Sequence, residues 1–373
     1  MLPTIDELGD LHGKSVLVRV DFNCPTKEVD GTRVVTDDFR IRAAIPLFKE
    51  LQARGAKVTA CTHFGRPNGQ PVEKYSVAPV RKRLNELISG VELLENLRFH
   101  SGEESNDAAF GASLVAGYDA FVNEAFGACH REHASIMIPP TLVPAAAGPN
   151  LQHEVHTLLG TLTEPRRPFV AIVGGAKVAD KLGITQVLVE KADYVIVGGG
   201  MAFTFWKALG REVGDSLLDV SRVDEVAKLM DSGRVVLPSD VWTLPTGTPF
   251  GSGGDVAPVL RSGEVPSGEM GLDIGPESLA TFGEVISRAG TVLWNGPMGV
   301  FEDSRLLSGT KGIADALAES TASVIVGGGD SAAAVELFGV ADKMTFISTG
   351  GGASLELLEF GDLPGLRALR GNT

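Results

Sequence analysis

Residues 169–177 read "FVAIVGGAK". Five apolar residues in a row suit a strand buried on both faces, the two glycines suit a turn, and a helical pattern follows. The same device returns as "YVIVGGGMA" at 194–202, "SVIVGGGDS" at 323–331 and "TFISTGGGAS" at 345–354. Residues 195–200 and 324–329 are the same six letters. Repeated strand–turn–helix units imply a parallel sheet with right-handed crossovers, an α/β protein. Glycine at a strand's carboxyl end costs chain entropy. It also lets backbone approach a ligand, and helix N-termini there offer amides to phosphate. Tight turns alone would explain one copy; four copies favour a nucleotide site.

The alternation extends to the first part of the chain. Residues 15–20, 58–61 and 120–123 read as buried strands. Over 38–53, Ile41, Ile45, Phe48 and Leu51 recur at helical spacing, with Gly55 just past the end. A length of 373 residues suits two domains. A proline-rich stretch over 149–168 marks the boundary, and a helical pattern at 153–162 inside it reads as a hinge. Domains of 1–165 and 166–373 follow.

The two parts differ in character. Residues 1–168 carry 18 basic and 21 acidic side chains, the remainder 15 and 26, for a net charge of −14. All seven histidines fall between His12 and His156, while 33 of the 46 glycines follow residue 160. That charge argues against nucleic acid as a partner. Asp6, Glu7 and Asp10 stand where a secretory leader would be basic, and the uncharged stretch 136–153 holds four prolines. Three unpaired cysteines, Cys24, Cys61 and Cys129, suit a reducing compartment. A cytoplasmic protein without membrane partners is expected.

Several familiar motifs fail. Gly9 precedes Gly13-Lys14-Ser15 with three residues between, one too few for a P-loop. Gly198, Gly327 and Gly350 each begin G-x-G but end on Phe203, Ala332 and Leu355, so the dinucleotide fingerprint is missing. Cys129, His130 and His133 lack a fourth zinc ligand at matching spacing. No G-x-S-x-G elbow supports an esterase.

What remains is a set of cations at strand ends and helix starts. Lys177 and Lys181 are four apart, read as one face of a helix beginning after Gly174-Gly175. Arg40 lies early in the helix after Asp37. Cations there oppose the helix dipole unless an anion is bound, although solvated lysines paired with Asp180 would also fit. Asp21 and Asn23 end one strand, His63 and Arg66 follow a second, and His130, Arg131 and His133 follow a third, with Arg167 near the connector. Arginines and histidines converging on sheet ends suit a small, multiply charged anion.

These residues sit in "RVDFNCP", "DDFRIRAAIP", "HFGRP", "LLENLRF", "AFGACHREHAS", "RPFVAIVGGAKVADK", "GGGMAFTF", "LDIGPES", "WNGPMGVFE", "VGGGD" and "STGGGASLELLE". In that order, from about residue 4 to 369, they resemble the phosphoglycerate kinase family. The resemblance implies two Rossmann-like parallel-sheet lobes joined by a helical hinge, with the tail from about 356 to 373 packing back on the first lobe. The first lobe would bind 3-phosphoglycerate or 1,3-bisphosphoglycerate through Asp21, Asn23, Arg40, His63, Arg66, Arg131 and Arg167. The second would bind Mg-ADP or Mg-ATP through Lys177, Lys181, Gly271, Asn295, Glu302, Gly328, Gly329, Asp330 and Ser331, with Asp330 on Mg²⁺. Arg40 and Lys177 would stabilise charge on the transferring group, and the enzyme is expected to be a monomer.

Four positions depart from the family's pattern. Glu124 stands for a usual aspartate, Ser331 for a threonine, Asp215 for a lysine common in bacterial relatives, and Cys24 for a valine. Only Asp215 puts a phosphate contact in doubt. A two-lobed small-anion binding protein without catalysis is the alternative, but it has no use for lysine-bearing glycine turns. A nicotinamide-dependent dehydrogenase would need the missing fingerprint.

Overall fold

The structure, a computed structural model, describes residues 1–176 and 178–371. The chain forms two units, one of Met1–His156 with the tail from Phe360 onward, the other Thr157–Glu359.

In the first unit five parallel strands lie in the order Val91–Leu93, Lys57–Cys61, Ser15–Arg19, Ala120–Asn123 and Ala145–Ala147. The period-2 alternation of the central strand divides two cores. Val16 and Val18 join Ile41, Leu47, Phe48 and Leu51 of helix Phe39–Ala53, whereas Leu17 faces Leu97, Val115 and Phe121. The continuous apolar run of a doubly covered strand follows from these two layers. The tail helix Pro364–Leu369 belongs to this unit; Gly365 donates its amide to the Cys129 carbonyl at 2.9 Å.

The second unit is built on six parallel strands: Val235–Val236, Tyr194–Val197, Phe169–Val173, Thr291–Asn295, Ser323–Gly327 and Phe346–Ile347. The four glycine-ended segments of the sequence are four of these strands. Trp294, Ile172, Ile196 and Val326 are buried in one core with Phe282 and Ile313.

Two antiparallel pieces interrupt the parallel pattern. Thr26–Val29 and Thr32–Val35 form a hairpin across Asp30-Gly31, both at positive φ (50° and 73°). Such a turn matches the twist of paired strands. Val259–Ser262, Asp240–Pro245 and Glu269–Ile274 make a three-stranded antiparallel sheet in the second unit. The connector is the helix Pro149–Thr163, longer than the 153–162 pattern because proline suits a helix's first position. The chain passes from the first unit to the second within it, between His156 and Thr157. Among the described residues no helix is long and apolar enough to cross a membrane.

Candidate active site

Arg19 is in register with Cys61 on one side and Asn123 on the other, so three loops leave the first sheet at one carboxyl edge. Asp21, on the first loop, accepts from Arg40 Nη1 at 2.6 Å and from the Asn23 amide at 3.2 Å. Asn23 Oδ1 accepts the amide of Gly65 at 3.0 Å, tying the first loop to the second. Burial raises the Asp21 pKa, but the neighbouring positive charge, Arg40 and Arg19 among it, outweighs it and holds the carboxyl below its ordinary value. His63 is buried and pushed down to about 3, first by burial and then by Arg19, Arg98 and His133, against the pull of Asp21. Its ring is therefore neutral. Arg66 and Arg131 are exposed, and among the described residues neither forms an ion pair.

Arg167 belongs to the second unit. It precedes the first strand of the second unit, at the amino end of that sheet, where Nη1 bonds the Lys191 carbonyl at 2.9 Å and Asp193 at 3.0 Å. Ligands of parallel sheets collect at the carboxyl end.

At the carboxyl edge of the second unit Asn295 occupies the centre, in register with Val173 and Gly327. The glycines here serve two purposes. A Cβ on Gly174 would stand 2.1 Å from the Pro297 carbonyl oxygen, and one on Gly199 2.6 Å from the Gly175 nitrogen. These glycines let three turns pack backbone to backbone, closed by Gly174 N to Asn295 O and Gly175 N to Pro297 O, both 2.9 Å. Gly329 differs, because a Cβ there meets nothing within 4 Å. It opens the helix Gly329–Leu337, whose first turn carries exposed Asp330. Ser331 Oγ accepts the Gly296 amide at 2.6 Å, and Asn295 Nδ2 is buried without a partner among the described residues.

Lys181 donates to the carbonyls of Gly174 (2.7 Å) and Asn295 (3.2 Å). Burial pushes its amine down to about 8, against Asp330 and Asp180. The following helix starts at Leu182, with Lys181 as its N-cap. Gly175 at φ +105° and a turn closed from Lys181 N to Val178 O come first. The expected helix directly after Gly174-Gly175, with Lys177 and Lys181 on one face, is corrected accordingly; Lys177 itself lies outside the described residues. Gly271 sits on the antiparallel sheet, its missing Cβ replaced by the Phe203 ring at 2.1 Å. Glu302 is exposed on the loop that Val300 N ties to Leu272 O.

A family model described as phosphoglycerate kinase matches residues 5–93 and 88–360. The chain belongs to the phosphoglycerate kinase family. The phosphoglycerate kinase of Rubrobacter xylanophilus is 47% identical over 385 residues, 96% of each chain. "Phosphoglycerate kinase 3, cytosolic" of Arabidopsis thaliana is 44% identical over 394 residues, 97% of this chain and 96% of that one. Among solved structures, phosphoglycerate kinase from Coxiella burnetii superposes with a TM-score of 0.88 at 34% identity, covering 100% of this chain and 99% of the other. The activity is reversible phosphoryl transfer between 1,3-bisphosphoglycerate with ADP and 3-phosphoglycerate with ATP, a carboxyl group being the acceptor.

Three buried groups escape a reading of local spacing. Arg19 is fully buried, bonded to Val20 O (2.5 Å), Ser135 Oγ (2.9 Å) and His63 Nδ1 (3.1 Å). Glu124 accepts from the first-turn amides of the connector helix, Asn150 (3.2 Å) and Leu151 (3.3 Å), and burial still pushes its carboxyl up to about 8. Asp273 accepts from Gly309 N (2.7 Å) and Ser308 Oγ (3.1 Å), and burial raises it to about 7. The only signal for Arg19 is a charge inside the apolar run "SVLVRV".

Proposed function

We propose that the carboxyl edge of the first unit takes 3-phosphoglycerate or 1,3-bisphosphoglycerate and that of the second takes Mg-ADP or Mg-ATP. The observation that carries this division is chemical. One edge offers guanidinium and imidazole groups, and the other offers helix-start amides beside the unpartnered Asn295 amide.

On the first edge, Asp21 and Asn23 hold Arg40 and the Gly65 loop in place. Arg66 and Arg131 grip anionic oxygens as forks. On the second, the amides at Gly328 and Gly329 and the Ser331 turn receive phosphate. Lys181, with two of its three donors used on carbonyls, directs the third toward it. Gly271 and Glu302 complete the nucleotide contacts. The donor set suits Mg²⁺: Asp330 is one exposed hard-oxygen ligand, and among the described residues no cluster of three ligands would form a protein cage. Asp330 would hold the ion together with phosphate oxygens, where it would supply charge neutralisation.

The substrate carboxylate is itself the nucleophile, so the protein supplies positioning and charge. Arg40 and Lys177 stabilise negative charge on the transferring group. The same proposal includes a monomer in the cytoplasm; three free, buried cysteines suit a reducing compartment, and one relative is named cytosolic. The test is a coupled assay of 3-phosphoglycerate with ATP, with and without Mg²⁺. Turnover that requires all three is expected, and turnover without the metal would overturn its role.

A further inference from the structure

The guanidinium of Arg19 carries donors only. Its Nη2 stands 3.1 Å from His63 Nδ1, and its other contacts, with Val20 O and Ser135 Oγ, use Nη1 and Nε. Hydrogen on Nδ1 would set two donors against each other. Nδ1 must therefore accept, and in a neutral imidazole the proton then sits on Nε2. Resting on the assignment of the first edge to the phosphoglycerate substrate, we propose that Arg19 is a positioning residue that fixes His63 as the neutral Nε2–H tautomer, a single uncharged donor facing an anionic substrate.

The orientation of Arg19 is itself determined from behind. Ser135 Oγ, which accepts from Arg19 Nε, donates to Glu103 Oε1 at 2.7 Å, and the Ser135 amide donates to Glu103 Oε2 at 3.0 Å. Arg19, Ser135 and Glu103 are all fully buried. Glu103 is thus the buried carboxyl that orients Arg19, acting through one hydroxyl. A relay of this kind rigidifies a site when each member is satisfied. His63 remains 9% exposed, and among the described residues nothing hydrogen-bonds its Nε2.

The groups facing His63 are Asp21, Arg19, Arg98 and His133. Asp21 alone favours a protonated ring; burial and the two arginines oppose it. Charge on the first edge is then left to the arginines. The histidine donor keeps its state through the range in which free imidazole titrates.

The experiment is two-bond 1H–15N correlation of the full-length protein with 15N-labelled histidine, His63→Asn serving only to assign the signal. The expected result is a bare Nδ1 and a protonated Nε2, unchanged between about pH 5 and pH 8. An Nδ1–H ring, or titration near the ordinary value, would overturn the proposal, and neither reading requires a variant to fold. Arg19→Gln, whose amide offers an acceptor as well as donors, and Ser135→Ala should yield mixed tautomers and raise KM for 3-phosphoglycerate roughly tenfold, with kcat within about twofold. If both variants fold and keep the wild-type tautomer, Arg19 does not set it. Adding 3-phosphoglycerate should move the Nε2–H signal. If the tautomer is as proposed but the signal does not respond, the tautomer stands and the placement of substrate on this edge fails instead.

Discussion

The carboxyl edge of the first unit presents side-chain charge, and that of the second presents backbone. On the first, the inner cations are held by carboxylates, Arg40 by Asp21 and Arg19 by Glu103 through Ser135, while Arg66 and Arg131 stand exposed. On the second, turns meet so closely that Gly174 and Gly199 have no room for a methyl group, and Lys181 bonds carbonyls instead of carboxylates. The difference teaches where each site is fragile. Loss of charge should damage the first edge, and added volume the second.

The largest effect should come from volume. Gly174→Ala places a methyl 2.1 Å from the Pro297 carbonyl, so urea titration should find about 3 kcal/mol or more of lost stability, the upper range of overpacking. Gly329→Ala, with nothing within 4 Å, should shift stability by less than about 0.5 kcal/mol. Equal shifts for the two would erase the contrast.

Charge removal comes next. Arg40→Ala should lower kcat about a hundredfold, near 2.7 kcal/mol, with little change in ligand affinity. Lysine should rescue only in part, since a point charge cannot replace a planar fork. Steady-state kinetics in both directions checks this; a raised KM with intact kcat would reduce Arg40 to a binding residue.

Each unit also holds a carboxyl that burial pushes well up, Glu124 in the first and Asp273 in the second, which gives a comparison by pH. Folded Glu124 keeps its proton up to about pH 8 and folded Asp273 up to about pH 7. Unfolded, both release it near pH 4. Between those limits the folded state binds more protons, so stability falls as pH rises and levels off above the folded pKa. Glu124→Gln and Asp273→Asn should each flatten that fall by about 2 kcal/mol between about pH 5 and pH 7. Denaturation midpoints with the wild-type pH slope would show that the proton is not held there.

The smallest effect separates the two ligands. Arg66→Ala should weaken 3-phosphoglycerate about tenfold, the loss of one charge-assisted contact, and leave Mg-ADP unchanged in calorimetric titration. Equal losses for both ligands would break the division between the units.

The sheets were legible because apolar runs and glycine turns are local signals. "FVAIV" is a fully buried strand, and the turn after it lies where a parallel sheet collects ligands. Asp21, Asn23, His63 and Arg66 follow strand ends in sequence, so spacing alone brought them forward. The Arg19 relay was hidden because Ser135 lies 116 residues away, and no spacing rule joins them. Arg167 is the reverse case: nearness to the connector in sequence says nothing about which end of its own sheet a side chain occupies. The antiparallel hairpin had a signal, Asp30-Gly31, between runs too polar to stand out as strands.

The tail helix gives the chain a particular order of assembly during synthesis. Residues up to His156 are made before the second unit, yet the segment that covers Cys129 and Ile136 is made after it. About two hundred residues of the other unit are translated in between. At roughly 5–20 residues per second that interval is about 10–40 s. The second unit, continuous in the chain, can finish folding within it. The earlier unit waits with an apolar seam open, and the helix Pro364–Leu369, made only after the second unit, closes it.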